Sequence, residues 1–108
     1  MKTALVVSLM ALIVMSCAQD AERVLLSQFF AASRLRDLTA LRKFSTVVFE
    51  PREQGMVLGF DITRIQRHGE TEDVYVSARV RTPAGDVARQ NLRVTIAGGR
   101  VTSVTTDP

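Results

Sequence analysis

Residues Met56 to Thr106 alternate in character with a period of two, and this constrains the fold more than any other feature of the chain. Leu58, Phe60 and Ile62 fall on one side of a first strand, and Val74, Val76, Ala78 and Val80 on one side of a second. Leu92, Val94 and Ile96 continue the pattern in a third, and Val101 starts a fourth. Alternation of this kind marks antiparallel strands with one covered face and one face open to water. The cover has a single source, the helix-period stretch around Leu25 to Leu41. The expected fold class is therefore α+β, one bent N-terminal helix (long plus short) packed on a four-stranded antiparallel β-meander.

Within Asp20 to Phe44, Ala21, Leu25, Phe29 and Ala32 form an apolar stripe at helical spacing, widened by Leu26 and Phe30 and flanked by Val24 and Leu35. Glu22, Arg23 and Arg34 fall elsewhere on the helix. Asp37 is the expected cap of a short second helix, Leu38 to Lys43, because its carboxylate accepts from the free amides of a first turn. The bend is then near Arg36. Ser45 to Glu50 is rich in β-formers and halted by Pro51, and the sequence leaves open whether Val47 and Val48 join the sheet. Glu50 to Gly55, Arg67 to Thr71 and Pro83 to Asp86 read as turns, and Gly98-Gly99 as a two-residue hairpin. That hairpin sets Ile96 opposite Val101, with Ser103 and Thr105 expected to follow on the same side.

The N-terminus has a different character. The chain of 108 residues holds one domain, and residues 1–16 stand apart from it. Lys2, an apolar run from Ala4 to Met15 and small residues at its end have the layout of a secretory signal, and the run is well short of the ~20 residues that span a bilayer. Val14-Met15-Ser16-Cys17 resembles the lipobox of bacterial lipoproteins, with an aliphatic residue three before and a small residue one before the cysteine. The resemblance implies a lipidated Cys17, cleavage just before it, and a membrane anchor. Ala18 in the next position resembles the outer-membrane sorting pattern, which implies the periplasmic leaflet of the outer membrane in a host with two membranes. Ser16-Cys17-Ala18 also fits ordinary cleavage after Ala18, which would release a soluble periplasmic or secreted protein. Both routes export the chain. The expected organisation is 1–16 signal peptide, 17–19 lipidated cysteine and tether, and 20–108 a single α+β domain. Cys17 is the only cysteine, so no disulfide contributes.

Phe29-Phe30-Ala31-Ala32 followed by Asp37-Leu38-Thr39-Ala40-Leu41, and then by a run of antiparallel strands, resembles the opening of nuclear transport factor 2-like domains, to which the cystatin-like fold is a close relative. The resemblance implies a long and a short helix wrapping a curved sheet into a cone, here with a third helix missing or reduced. Enzymes of that shape generally set a carboxylate and a histidine inside the cavity. In this chain the inward positions are aliphatic, Asp61 is expected to point outward and His68 to lie in a turn, so no catalytic residues are assigned and no enzymatic activity is expected.

The candidate site is the open face. Asp61, Thr63, Tyr75, Ser77, Arg79, Arg81, Arg89, Asn91, Arg93 and Thr95 fall there, with Arg81 expected opposite Arg89 and Arg79 opposite Asn91. Arg79, Arg81, Arg89 and Arg93 form a candidate anion- or partner-binding face, since guanidinium groups bind phosphate and carboxylate through paired hydrogen bonds. The competing explanation is that they keep a solvated sheet soluble. Arg64 breaks the alternation, which calls for a strand end or a bulge. The net charge is only +3, and the basic residues are almost all arginine, so no nucleic-acid partner is inferred. His68 with Glu70, Glu72 and Asp73 makes a polar hairpin tip without a closed ligand set, and no metal or cofactor is expected. Neither a Gly-x-Ser-x-Gly elbow nor a glycine-rich phosphate loop is present.

These features point to an exported, membrane-anchored small lipoprotein that acts as a non-catalytic binding or structural module of the cell envelope, with an envelope protein or an anionic polymer as partner. One alternative is a carrier of small apolar ligands, or a vestigial enzyme, with a pocket between helix and sheet lined by Phe29, Phe60, Val76 and Leu92. Another is an inhibitor or accessory subunit acting through its hairpin loops.

Overall fold

The structure is a computed structural model that describes residues 20–107; the leader and Cys17 lie outside the described residues. Helix α1 covers residues 20–35 of that range, and α2 spans Leu38–Phe44. Strands β1 (Met56–His68), β2 (Thr71–Arg81), β3 (Val87–Ala97) and β4 (Arg100–Thr106) form one antiparallel sheet in the order β1-β2-β3-β4. The architecture is the expected one of a long and a short N-terminal helix on a four-stranded meander.

The break between the helices is chemical as well as geometric. Arg36 takes a positive φ of 53°, and the Asp37 side chain accepts from the Ala40 amide at 3.1 Å. The left-handed turn at Arg36 thus ends α1, and the Asp37 carboxylate satisfies a free N–H of α2. At the other end of α2, the Arg100 guanidinium donates to the Arg42 and Ser45 carbonyls at 2.6 and 2.9 Å, tying the last hairpin to the helix terminus.

The core lies between α1 and one face of the sheet. Leu26, Phe29, Phe30 and Ala32 pack against Val57, Val74, Val76, Ala78, Val80, Leu92, Val94, Ile96 and Val101, all buried. Full burial of each such Val, Leu or Phe contributes about 1.5–3 kcal/mol. Phe30 is the hub, with ring centroids 5.2 Å from Phe29, 5.5 Å from Phe60 and 5.7 Å from Phe49. The buried stripe runs Leu26, Phe29, Phe30, Ala32 and Ser33, so it keeps Phe29 and Ala32 of the expected one and is rotated away from Ala21. Ala21 is exposed, and Val24 and Leu35 are 56% and 75% exposed. Ser33 belongs inside because its hydroxyl accepts from the Phe49 amide at 3.1 Å, a donor that would otherwise be buried without a partner.

Val47 and Val48 pack against the core but do not form a strand. The segment touches the sheet through a single parallel bridge between Ser45 and Val101, with the Thr46 amide donating to the Val101 carbonyl at 2.8 Å. Ser45 then turns the chain by accepting from the Val47 amide and donating to the Val47 carbonyl.

Three departures from strict alternation reset which side chains share a face. The β1–β2 register slips between Val57 and Gly59 and again between Ile62 and Arg64. At the first slip Val57 enters the core and Leu58, expected inside, is 37% exposed. Gly59 beside it marks the place, since glycine in a strand weakens the ladder and favours a bulge. The second slip carries Arg64 to the open face. A third slip lies between Thr95 and Ile96: Ile96 pairs with Val101 as expected, but Val94 pairs with Val104, so Val104, and not Ser103 or Thr105, lies against the core.

Candidate functional site: the open face of the sheet

With β2 paired to β3 as Tyr75–Arg93, Ser77–Asn91, Arg79–Arg89 and Arg81–Val87, the open face has defined rows. This corrects the expected pairing of Arg81 with Arg89 and of Arg79 with Asn91. The β2–β3 turn closes at Thr82, whose amide donates to the Asp86 carbonyl at 2.7 Å, and this shifts the register by two residues. Two arginines still face each other, but they are Arg79 and Arg89.

Across β1 the rows continue as Arg64–Tyr75–Arg93, Asp61–Ser77–Asn91 and Gly59–Arg79–Arg89. Arg64 lies over the Tyr75 ring at 4.1 Å, so the basic face gains an arginine that alternation had assigned to the other side. Arg89 Nη1 donates to Ser77 Oγ at 2.8 Å. Asp61, Ser77, Arg79 and Arg89 surround a depression of about 270 Å³ above Gly59. Toward the other end of the face, Asp73 accepts from Thr95 Oγ1 at 2.8 Å and lies 3.5 Å from His68 Nε2.

Arg79, Arg81, Arg89 and Arg93 are all exposed on this one face. The four residues named as a pocket lining are distributed otherwise. Phe29, Val76 and Leu92 are packed in the core at 0–1% exposure, whereas Phe60 is half-buried. Phe60 and Phe30 line a different opening, a groove of about 310 Å³ between α1 and β1 bordered by Arg23, Ser27, Arg34 and Leu58. Arg34 Nη1 also donates to the Val57 carbonyl at 3.2 Å, next to the bulge.

A carboxyl pair at the end of the seam between α1 and the sheet was not legible as such. Burial raises the Glu22 carboxyl above its ordinary range, and the adjacent Glu72 adds to the shift through a shared hydrogen bond and like charge, with Arg67 opposing. Arg67 Nε reaches Glu72 at 3.3 Å. The available signal was spacing, since Glu22 stands four residues before Leu26 and so falls on the stripe that is buried. Among the described residues no group of three or more His, Cys, Asp or Glu side chains converges as a metal site. No helix of the described residues is long and apolar enough to cross a membrane.

The chain matches no protein-family model, no curated protein and no solved structure.

Proposed function

We propose that this chain is an exported, acyl-anchored, non-catalytic binding module of the cell envelope, which uses the open face of its sheet to engage an acidic partner. The observation that carries this reading is the asymmetry of the sheet. One face is closed by α1 with side chains at 0–5% exposure, while the other presents Arg64, Arg79, Arg81, Arg89 and Arg93 against few carboxylates. Among the described residues the ion pairs involve Arg36, Arg67 and His68, and none of the open-face arginines just named. Arginines unpaired within their own fold are available to phosphate or carboxylate groups of a partner.

The anchor rests on the lipobox-like Val14-Met15-Ser16-Cys17. Two or more acyl chains, each buried methylene contributing ~0.8 kcal/mol, hold a protein stably at a membrane and fix a basic face close to anionic surface polymers. The non-catalytic part is supported by placement: Asp61 is exposed on the open face, and His68 sits by Asp73 at the hairpin end, so neither reaches the aliphatic seam beneath α1.

Two experiments test the two halves. Cells fed an alkyne-tagged fatty acid are expected to label the chain but not its Cys17→Ser variant, which is also expected to leave the membrane fraction; an unlabelled wild-type chain removes the anchor. Pull-down from envelope extracts is expected to weaken with salt and to be lost when Arg79, Arg81, Arg89 and Arg93 are all replaced by alanine. Retention by that variant removes the binding face.

A further inference from the structure

We propose that Ser77, Arg79 and Arg89 form a subsite for an oxyanion of the phosphate class, seated in the depression above Gly59. The inference rests on the open-face reading and narrows it to one place and one ligand chemistry.

Arg79 and Arg89 stand directly opposite each other on β2 and β3. Cβ atoms of such pairs are about 4.5–5.5 Å apart, and like charges there are destabilising. Among the described residues no carboxylate lies within ion-pair distance of either guanidinium. On the β1 side, the position opposite Arg79 is Gly59, where an added Cβ would meet nothing within 4 Å. The missing side chain is what leaves room beside the two guanidiniums.

Donors dominate the lining. A guanidinium has five N–H donors and no acceptor. One of Arg89's is committed to Ser77 Oγ, which fixes the head over the sheet and leaves the serine's own proton to donate. Two adjacent cations and a hydroxyl match a compact group with several anionic oxygens better than a single carboxylate, because each guanidinium can take a pair of oxygens. The depression, about 270 Å³ and open to solvent, admits a phosphate at the end of something larger. Asp61, opposite Ser77 on β1, is the one carboxylate in the lining. It opposes an anion, and this gives the subsite a signature that a diffuse basic surface lacks.

The test is a titration of the full chain, in non-ionic detergent at constant ionic strength, with inorganic phosphate and with acetate, read by amide and arginine Nε–H chemical shifts. Saturable shifts at Ser77, Arg79 and Arg89 with phosphate, and weaker ones with acetate, are expected. Arg89→Gln or Arg79→Gln is expected to weaken phosphate about tenfold or more, in line with loss of a charge-assisted hydrogen bond. Asp61→Asn is expected to tighten it severalfold. Arg93→Gln, roughly 13 Å away along β3, is expected to cost less than about threefold. Absence of saturable shifts at these residues overturns the subsite, as does equal affinity for acetate or no gain from Asp61→Asn. A loss with Arg93→Gln as large as with Arg89→Gln also overturns the subsite but leaves the basic face as a binding surface. Retention of envelope pull-down by the quadruple alanine variant removes both. Where the subsite stands, co-sedimentation with phosphatidate vesicles, lost in Arg89→Gln and absent with phosphatidylcholine, assigns the phosphate to a lipid head group; binding of free phosphate alone assigns a soluble source.

Discussion

The Arg64 guanidinium lies 4.1 Å above the centroid of the Tyr75 ring, on the opposite side of the sheet from where unbroken alternation would put it. The slip between Ile62 and Arg64 makes this contact, and the Thr63 hydroxyl, donating to the Tyr75 carbonyl at 3.1 Å, helps hold the displaced backbone. An arginine over a ring at an exposed site contributes about 0.5–1 kcal/mol. A double-mutant cycle on Arg64→Ala and Tyr75→Ala, read by urea unfolding, is expected to give a coupling in that range; zero coupling contradicts the placement.

Gly55 sits where the chain enters β1, with φ at +96° and the Arg81 backbone directly against it. A Cβ there would collide with the Arg81 carbonyl oxygen and approach Val80 Cγ1 to 2.9 Å. Gly55→Ala is therefore expected to destabilise by more than ~1 kcal/mol, combining strain in the left-handed region with the clash. Gly59→Ala, whose Cβ meets open space, is the control and is expected to unfold near the wild-type midpoint.

Ser33 is buried at 1% exposure, and its hydroxyl accepts from the Phe49 amide. Ser33→Ala leaves that N–H without its partner in the core, at an expected cost of about 1–3 kcal/mol in unfolding free energy. A neutral substitution would mean that the Ser45 to Glu50 segment does not pack across α1 as described.

Glu22 and Glu72 give a pH dependence with a definite sign. The Glu22 carboxyl titrates above its ordinary range, mainly because it is partly buried and then because of Glu72. Between its unfolded and folded pKa values the folded chain keeps a proton that the unfolded chain has lost, so this group's contribution to stability falls as pH rises through that window. Glu22→Gln removes the effect. Its unfolding midpoint is expected to exceed that of wild type increasingly as pH is raised from about 4 to about 7, and a difference that shrinks over that range contradicts the assignment.

Much of the fold was legible because its signals are local and redundant. Asp37 capping α2, Gly98 and Gly99 with φ values of +60° and +74° in the last hairpin, and Ile96 opposite Val101 each follow from residue type and spacing. The misplacements on β1 and β4 share one cause. Alternation predicts faces only while the ladder runs unbroken: an extra residue at Thr63 or Thr102 moves the side chains after it across the sheet, and one at Leu58 puts Val57, before it, in the core. Gly59 announced the first of these slips and Arg64 the second, since a charged residue on an apolar side is itself a sign of a slip. The Arg79–Arg89 pairing was hidden for a different reason. It depends on the backbone bond between Thr82 and Asp86, which sets the β2–β3 register and which composition does not encode.

Every site proposed depends on which sheet face is covered, and this is measured most directly by thiol accessibility. In a Cys17→Ser chain, which has no other cysteine, Val76→Cys and Ser77→Cys place probes on adjacent residues of β2 that point to opposite faces. Ser77→Cys is expected to react with a water-soluble maleimide under native conditions, and Val76→Cys only on unfolding. Equal native rates, or a faster reaction at Val76→Cys, would contradict the account.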